Sequence, residues 1–291
     1  MVTHAIWTYS LVYKHAVSSS RQWETLTLYL NSGYLMDPIF LVLNSLHVDN
    51  LAIFQFQCPY LTGGVEFHFF APPPALFNGG APSLRSLSLT CTSIPWTASY
   101  FSNLVSVDFM HLPAGIWPSS SHMITALTAS PVLESVLFCG SGVYIMDPVP
   151  FVIPALTSLA FVYGSTTLMH LFSYGRIASS YDPQAWERLS KLRINGGFDH
   201  VLHVDRLMKS VPNIRELCTK HSDSYLEWGR ITPHTLLTYV KNRDFIKRVT
   251  YHHAIVEPVS SEDMVALKDI RLHVQYFQTV PDVFDMETTS E

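Results

Sequence analysis

Fourteen histidines are the first residues that could do chemistry, because imidazole serves both as a zinc ligand and as a general base. Their spacing builds neither site. His252 and His253 are adjacent rather than four apart, so a helix would not turn both toward one metal, and no His-Glu-x-x-His occurs. No carboxylate is placed to complete a zinc set. Gly140-Ser141-Gly142 lacks the spacing of a nucleophile elbow. Gly79-Gly80 and Gly196-Gly197 lack the lysine and hydroxyl of a phosphate loop. These glycines are expected in turns that need positive φ. Cys58, Cys91, Cys139 and Cys218 are scattered and form no Cys-x-x-Cys, so they are read as reduced thiols in a cytoplasmic or nuclear protein. With no Ser-His-acid set to nominate, the expectation is a non-enzymatic protein without metal or cofactor. A small-molecule enzyme is the distant alternative.

A second set of residues suits binding rather than catalysis. Lys191, Arg193, Glu216, Lys220, Arg248, Arg271 and His273 recur in the later part of the chain, each beside an apolar position. If the segments that carry them stack in register, they form a mostly basic stripe with Glu216 and Asp269 inside it. Such a stripe would receive a protein partner through an acidic peptide or a phosphorylated segment, arginine being suited to bidentate contact. The competing reading is ordinary solvating charge on an open sheet face. Earlier segments offer small, mostly uncharged residues at the same places: Ser86, Ser88, Ser106, Asp108, Ser135, Leu137, Ser158 and Ala160.

The elements that must position these side chains are legible from Pro82 to Phe109. Leu84-x-x-Leu87-x-Leu89 and Leu104-x-x-Val107-x-Phe109 spell one pattern twice, about twenty residues apart. The last two apolar positions are two apart and share one side of an extended strand, while polar neighbours take the other. The pattern can be laid on ten places, beginning at Trp23, Val48, Leu84, Leu104, Leu133, Leu156, Leu189, Ile214, Ile246 and Leu267. Val48 and Ile214 fit least well, Ile214 because Thr219 fills its third slot. The mean interval of about 27 residues lies in the 20–29 range of leucine-rich repeats. The fold class expected is α/β: a leucine-rich-repeat-like solenoid, with a curved parallel sheet on its concave side and short helices and irregular loops on the convex side.

Helix signals sit between the strands. Ser119 to Ser121 offer a cap ahead of Ile124 and Leu127, with Pro131 as the stop. Thr232-Pro233, Asp182-Pro183 and Asp37-Pro38 each read as a cap followed by proline at the first helical position, and Asp199 as a cap for a helix through Leu207. Residues 1–20 carry Ile6, Trp7, Leu11, Val12 and Ala16 at helical spacing, which predicts a capping helix. Residues 21–280 are the repeat region, and the acidic stretch 281–291 is expected to be a disordered tail.

Composition narrows the partners. Apolar residues make up 48% and charged ones 14%, against a usual ~25% charged, so burial is easily supplied. A net charge of −5 argues against nucleic acid as the ligand. The start of the chain lacks the basic residues and cleavage site of a secretory signal. The most hydrophobic window, Ile145 to Tyr163, is broken by Asp147, Pro148, Pro150 and Pro154, so no membrane span is expected there.

The order of motifs resembles a known family. Ile94-Pro95-Trp96, Phe101-Ser-Asn-Leu104, Leu127-Thr-Ala-Ser130-Pro131-Val-Leu133-Glu134-Ser-Val136 and Pro154-Ala-Leu156-Thr-Ser-Leu159 follow one another as in the F-box-like leucine-rich repeat proteins of mushroom-forming basidiomycete fungi. His15 and Arg21-Gln-Trp23-Glu-Thr-Leu26 resemble the segment that opens those repeats, with one extra residue between Arg and Trp. The resemblance spans roughly Ala16 to Leu272. It implies the substrate-recruiting half of a ubiquitin-ligase receptor. In that family an F-box of some forty residues precedes the repeats and docks the ligase adaptor. No such segment is found in this sequence, so the adaptor is an expected partner only if an F-box lies upstream. The alternative is a truncated or degenerate fragment without a ligase role.

Overall fold

The computed structural model describes residues 3–4, 19–29, 36–57, 76–77, 80–92, 94, 96, 98–112, 117–144, 151–162, 167–168, 171–172, 186–195, 207, 211, 213–220, 232–244, 246–253 and 260–281. Eleven strands form one sheet: β1 (Thr3–His4), β2 (Thr25–Tyr29), β3 (Ile53–Gln57), β4 (Ser86–Thr90), β5 (Ser106–Met110), β6 (Ser135–Cys139), β7 (Ser158–Val162), β8 (Lys191–Asn195), β9 (Glu216–Lys220), β10 (Arg248–His253) and β11 (Tyr276–Pro281). Their order in the sheet is their order in the chain, and every neighbouring pair is parallel. Parallel neighbours cannot be joined by a tight hairpin, so each strand is followed by a crossover that returns to the same end of the sheet. The protein is therefore α/β, with a sheet order compatible with a solenoid.

One turn prepares nearly every strand. The N–H of the first apolar residue of the pattern donates to the carbonyl three residues earlier: Leu84 to Ala81 at 3.0 Å, Leu133 to Ser130 at 3.4 Å, Leu156 to Ile153 at 3.1 Å, Leu189 to Trp186 at 3.2 Å. The chain then runs extended, and period-two alternation sends the next two apolar residues into the core. One column of aligned side chains runs Leu26, Phe54, Leu87, Val107, Val136, Leu159, Leu192, Leu217, Val249. All of these are buried in one continuous core. The parallel column carries Phe109, Phe138 and Phe161 side by side, their rings stacked with centroids 5.7 and 5.9 Å apart. Neighbouring strands lie close to 4.8 Å apart, so rings in register stack with a small offset.

Two of the ten predicted placements are corrected. Leu51, not Val48, begins the third strand's pattern: its N–H closes the recurring turn onto Val48 at 3.1 Å, and Phe54 and Phe56 fill the core positions. Leu267, Ile270 and Leu272 lie on a helix, and the last strand starts from Val274 with Phe277 aligned to Val249. The Ile214 placement holds, and Thr219 occupies the core slot between Ile194 and Tyr251.

Five α-helices are seen among the described residues: α1 (Met36–Ser45), α2 (Ala98–Phe101), α3 (Ser120–Thr128), α4 (Pro233–Lys241) and α5 (Ser261–His273). Ser119 caps α3, its hydroxyl accepting from His122 N–H at 3.3 Å, and Thr232 caps α4 by accepting from Thr235 N–H at 3.2 Å. Both caps match the sequence signals, and Leu236, Leu237 and Val240 are buried as predicted. Helix α1 begins at Met36, ahead of Asp37-Pro38, so that pair lies inside the helix instead of capping it. The predicted N-terminal helix is not what Thr3 and His4 form: they make β1 against Leu26 and Thr27. At its other end Ser20 opens a 3-10 turn, Ser20–Gln22, whereas residues 5–18, the Asp182 and Asp199 caps and the tail after Pro281 lie outside the described residues. The helices' buried residues belong to the same core as the inward strand positions, so among the described residues the helices cover one side of the sheet and none lies on the other, where most side chains are half-buried or exposed and Ser88 is buried.

Candidate functional site

Two columns of side chains stand on the face opposite the core because they alternate with the core positions. The first carries hydroxyls on β4 to β7, Ser86, Ser106, Ser135 and Ser158, and Ser106 donates to Ser86 at 2.9 Å. It then changes character on adjacent strands: Lys191, Glu216, Arg248, Tyr276. Glu216 sits between two cations, 3.5 Å from Lys191 Nζ and 3.9 Å from Arg248 Nη1. The Arg248 guanidinium also lies 5.1 Å from the centroid of the Tyr276 ring. These side chains are substantially exposed, and ion pairs of this kind contribute under about 1 kcal/mol to folding.

The second column holds Asp108, Leu137, Ala160, Arg193 and Cys218 on successive strands. Asp108 is half-buried, and burial alone raises its carboxyl above the usual range. Arg193 is half-buried too, and its Nε has no hydrogen-bond partner. The backbone of Lys220 is in register with Asn195 and His252, at the strand position where β6 and β7 carry the buried Cys139 and Val162.

The structure divides the predicted stripe. Lys191, Arg193, Glu216, Lys220 and Arg248 fall on the three adjacent strands β8, β9 and β10. Arg271, His273 and Asp269 do not join them, because the segment that carries them is α5 rather than a strand. Arg271 stacks over the Phe277 ring at 5.5 Å, His273 Nδ1 donates to the Asp269 carbonyl at 2.9 Å, and Asp269 pairs with Lys241 of α4 at 3.5 Å. Arg271 and Asp269 thus tie the last helix to β11 and α4, while the His273 contact lies within the helix.

Sequence reasoning also missed one pair. Cys139 Sγ lies 3.7 Å from His111 Nε2, two residues 28 apart in sequence that no spacing rule would join. Burial pushes the Cys139 thiol up to about 11, against a weaker pull from Arg193, and burial lowers His111. Both groups are thereby held neutral, the opposite of an activated thiolate. Gly140 beside them has φ +55°, and a Cβ there would meet His111 Nδ1 at 2.5 Å. Ser141 is fully committed: it accepts from Leu112 N–H at 3.2 Å and its hydroxyl faces the carbonyls of Phe109 and Cys139. Gly142 leaves room for the Trp117 ring, 2.5 Å from where a Cβ would stand.

Among the described residues no group of three or more His, Cys, Asp or Glu could hold a metal ion, and no helix is long and apolar enough to cross a membrane. Cys91, Cys139 and Cys218 are free thiols. No family model, curated protein or solved structure matches the chain. The site is defined by its geometry: an open strand face whose one half carries hydroxyls and whose other half carries cations.

Proposed function

We propose that this chain is a leucine-rich-repeat scaffold that binds protein and catalyses no reaction, related in role to the substrate-recruiting repeats of F-box-like ubiquitin-ligase receptors. Its concave face is the open side of the sheet, and its ligand is an acidic or phosphorylated segment. The observation that carries the reading is the gathering of Lys191, Arg193 and Arg248 on β8 and β10 with a single carboxylate, Glu216, between them. Repeat arrays present such faces to partners because each rung adds one row of side chains at fixed spacing. Docking of a ligase adaptor belongs to an F-box, and this reading assigns none of it to the repeats.

The test is the double charge reversal Arg193→Glu with Arg248→Glu, measured with a polyglutamate peptide and a phosphoserine peptide. Affinity should fall by about tenfold or more, the loss expected when charge-assisted contacts are removed. The thermal melt should show a folded protein, since neither side chain belongs to the core. Unchanged affinity for both peptides would refute the reading.

A further inference from the structure

Two charges on this face stand apart from the paired Lys191–Glu216–Arg248 row. Asp108 on β5 has no charged or hydrogen-bonding neighbour among the causes that shift its carboxyl, only burial. Arg193 on β8 keeps a buried Nε without a hydrogen-bond partner. Both belong to one column, and the strands between them present Leu137 and Ala160. Three strand spacings separate the charges by about 14 Å. An apolar side chain and a methyl group bridge that distance, and nothing charged interrupts it.

That spacing matches an extended peptide laid across the strands. Residues i, i+2 and i+4 of such a peptide share one face, and four residue steps cover about 13–14 Å. We infer that the partner's contact segment is bipolar: a basic residue on Asp108, an apolar residue over Leu137 and Ala160, and an acidic residue on Arg193, at i, i+2 and i+4. The inference rests on the open face being the binding surface and adds which segment that surface selects. It follows from charge complementarity, since each end supplies what the isolated group on the protein lacks. The peptide's chain direction is free, because either direction brings opposite charges to the two ends.

A display library of random 12-residue peptides, selected on the full chain, tests this. Wild type should enrich peptides with opposite charges four apart and an apolar residue midway. A synthetic peptide of that type should lose about tenfold affinity when either charge is replaced by alanine. Asp108→Arg should instead enrich two acidic residues four apart, and Arg193→Glu two basic ones. Thermal melts establish that each variant is folded. If Asp108→Arg is not, Asp108→Asn should remove the demand for the basic residue and keep that for the acid. Acid-only peptides, the same on wild type and on the Asp108 variant, would overturn the bipolar segment and leave the basic face standing. Enrichment that ignores charge, or none at all, would overturn both.

Discussion

Truncation of Phe138 to alanine tests the register of the whole sheet. Phe138 is fully buried, lies between the rings of Phe109 and Phe161, and meets Phe172 edge-on at 5.9 Å. Removing a buried phenylalanine costs about 3–5 kcal/mol. Three ring neighbours, each contributing about 0.5–1.5 kcal/mol beyond burial, place this site toward the upper end. Against a usual stability of about 5–15 kcal/mol that is a large fraction of the whole. Leu137, one residue earlier, points to the open face and is half-buried, so Leu137→Ala should cost only about 1 kcal/mol, part of the value of a fully buried leucine. A slip of one residue would exchange the two faces and reverse the ranking. Urea unfolding followed by circular dichroism gives both midpoints. Phe138→Ala should move the midpoint several times further than Leu137→Ala. Equal shifts, or a larger one for Leu137→Ala, would refute the register and the open face with it.

Two further outcomes follow from individual side chains. Thr219 fills a core slot with a buried hydroxyl that has no partner, so Thr219→Val should raise stability by about 1 kcal/mol in thermal denaturation; a loss would mean that the hydroxyl is satisfied. Cys139 has an ordinary thiol value of 9.0 when unfolded and one of about 11 when folded, so its contribution to stability is complete below pH 9 and is lost as pH rises through 11. The alkaline limb of a stability–pH curve should flatten in Cys139→Ala, and an unchanged limb would remove this thiol from the account.

The sheet was legible because its signal repeats. Leu87, Val107, Val136, Leu159 and Leu192 each sit two residues before another apolar side chain, and only an extended strand turns both to one side. The Val48 error has a local cause. Val48, Leu51 and Ile53 satisfy the same spacing as Leu51, Phe54 and Phe56, and only the turn hydrogen bond from Leu51 to Val48 distinguishes them. At Leu267 the ambiguity is between periods: Leu267 and Ile270 are three apart, which suits a helix as well as a repeat. The deciding signal was upstream, where Ser260 accepts from Asp263 N–H at 3.0 Å in a Ser-x-x-Asp start. Misreading that helix as a strand placed Arg271 and His273 on the wrong side of the molecule. The contact of Cys139 with His111 had no sequence signal, because it depends on which strands are neighbours.

The charges on the open face differ in what they do for folding. Glu216 offsets one of the two positive charges of Lys191 and Arg248 at the surface, and removal of the three leaves no buried charge behind. Asp108 works against the fold when ionised. Its carboxyl is raised by burial, so the stability it contributes is present below its unfolded value of 3.8 and is lost as pH rises through the folded one. At neutral pH the sheet holds a carboxylate where the preceding strand has Ser88 in the same column. Arg193 likewise keeps a buried donor unpaired where Ala160, one strand away, has nothing to satisfy. A side chain that weakens the free protein and faces an open surface is explained by the state in which it is paired. The second column runs Ser88, Asp108, Leu137, Ala160, Arg193, and its two charges, of opposite sign at either end of an uncharged pair, are the feature on which the proposed bipolar segment rests.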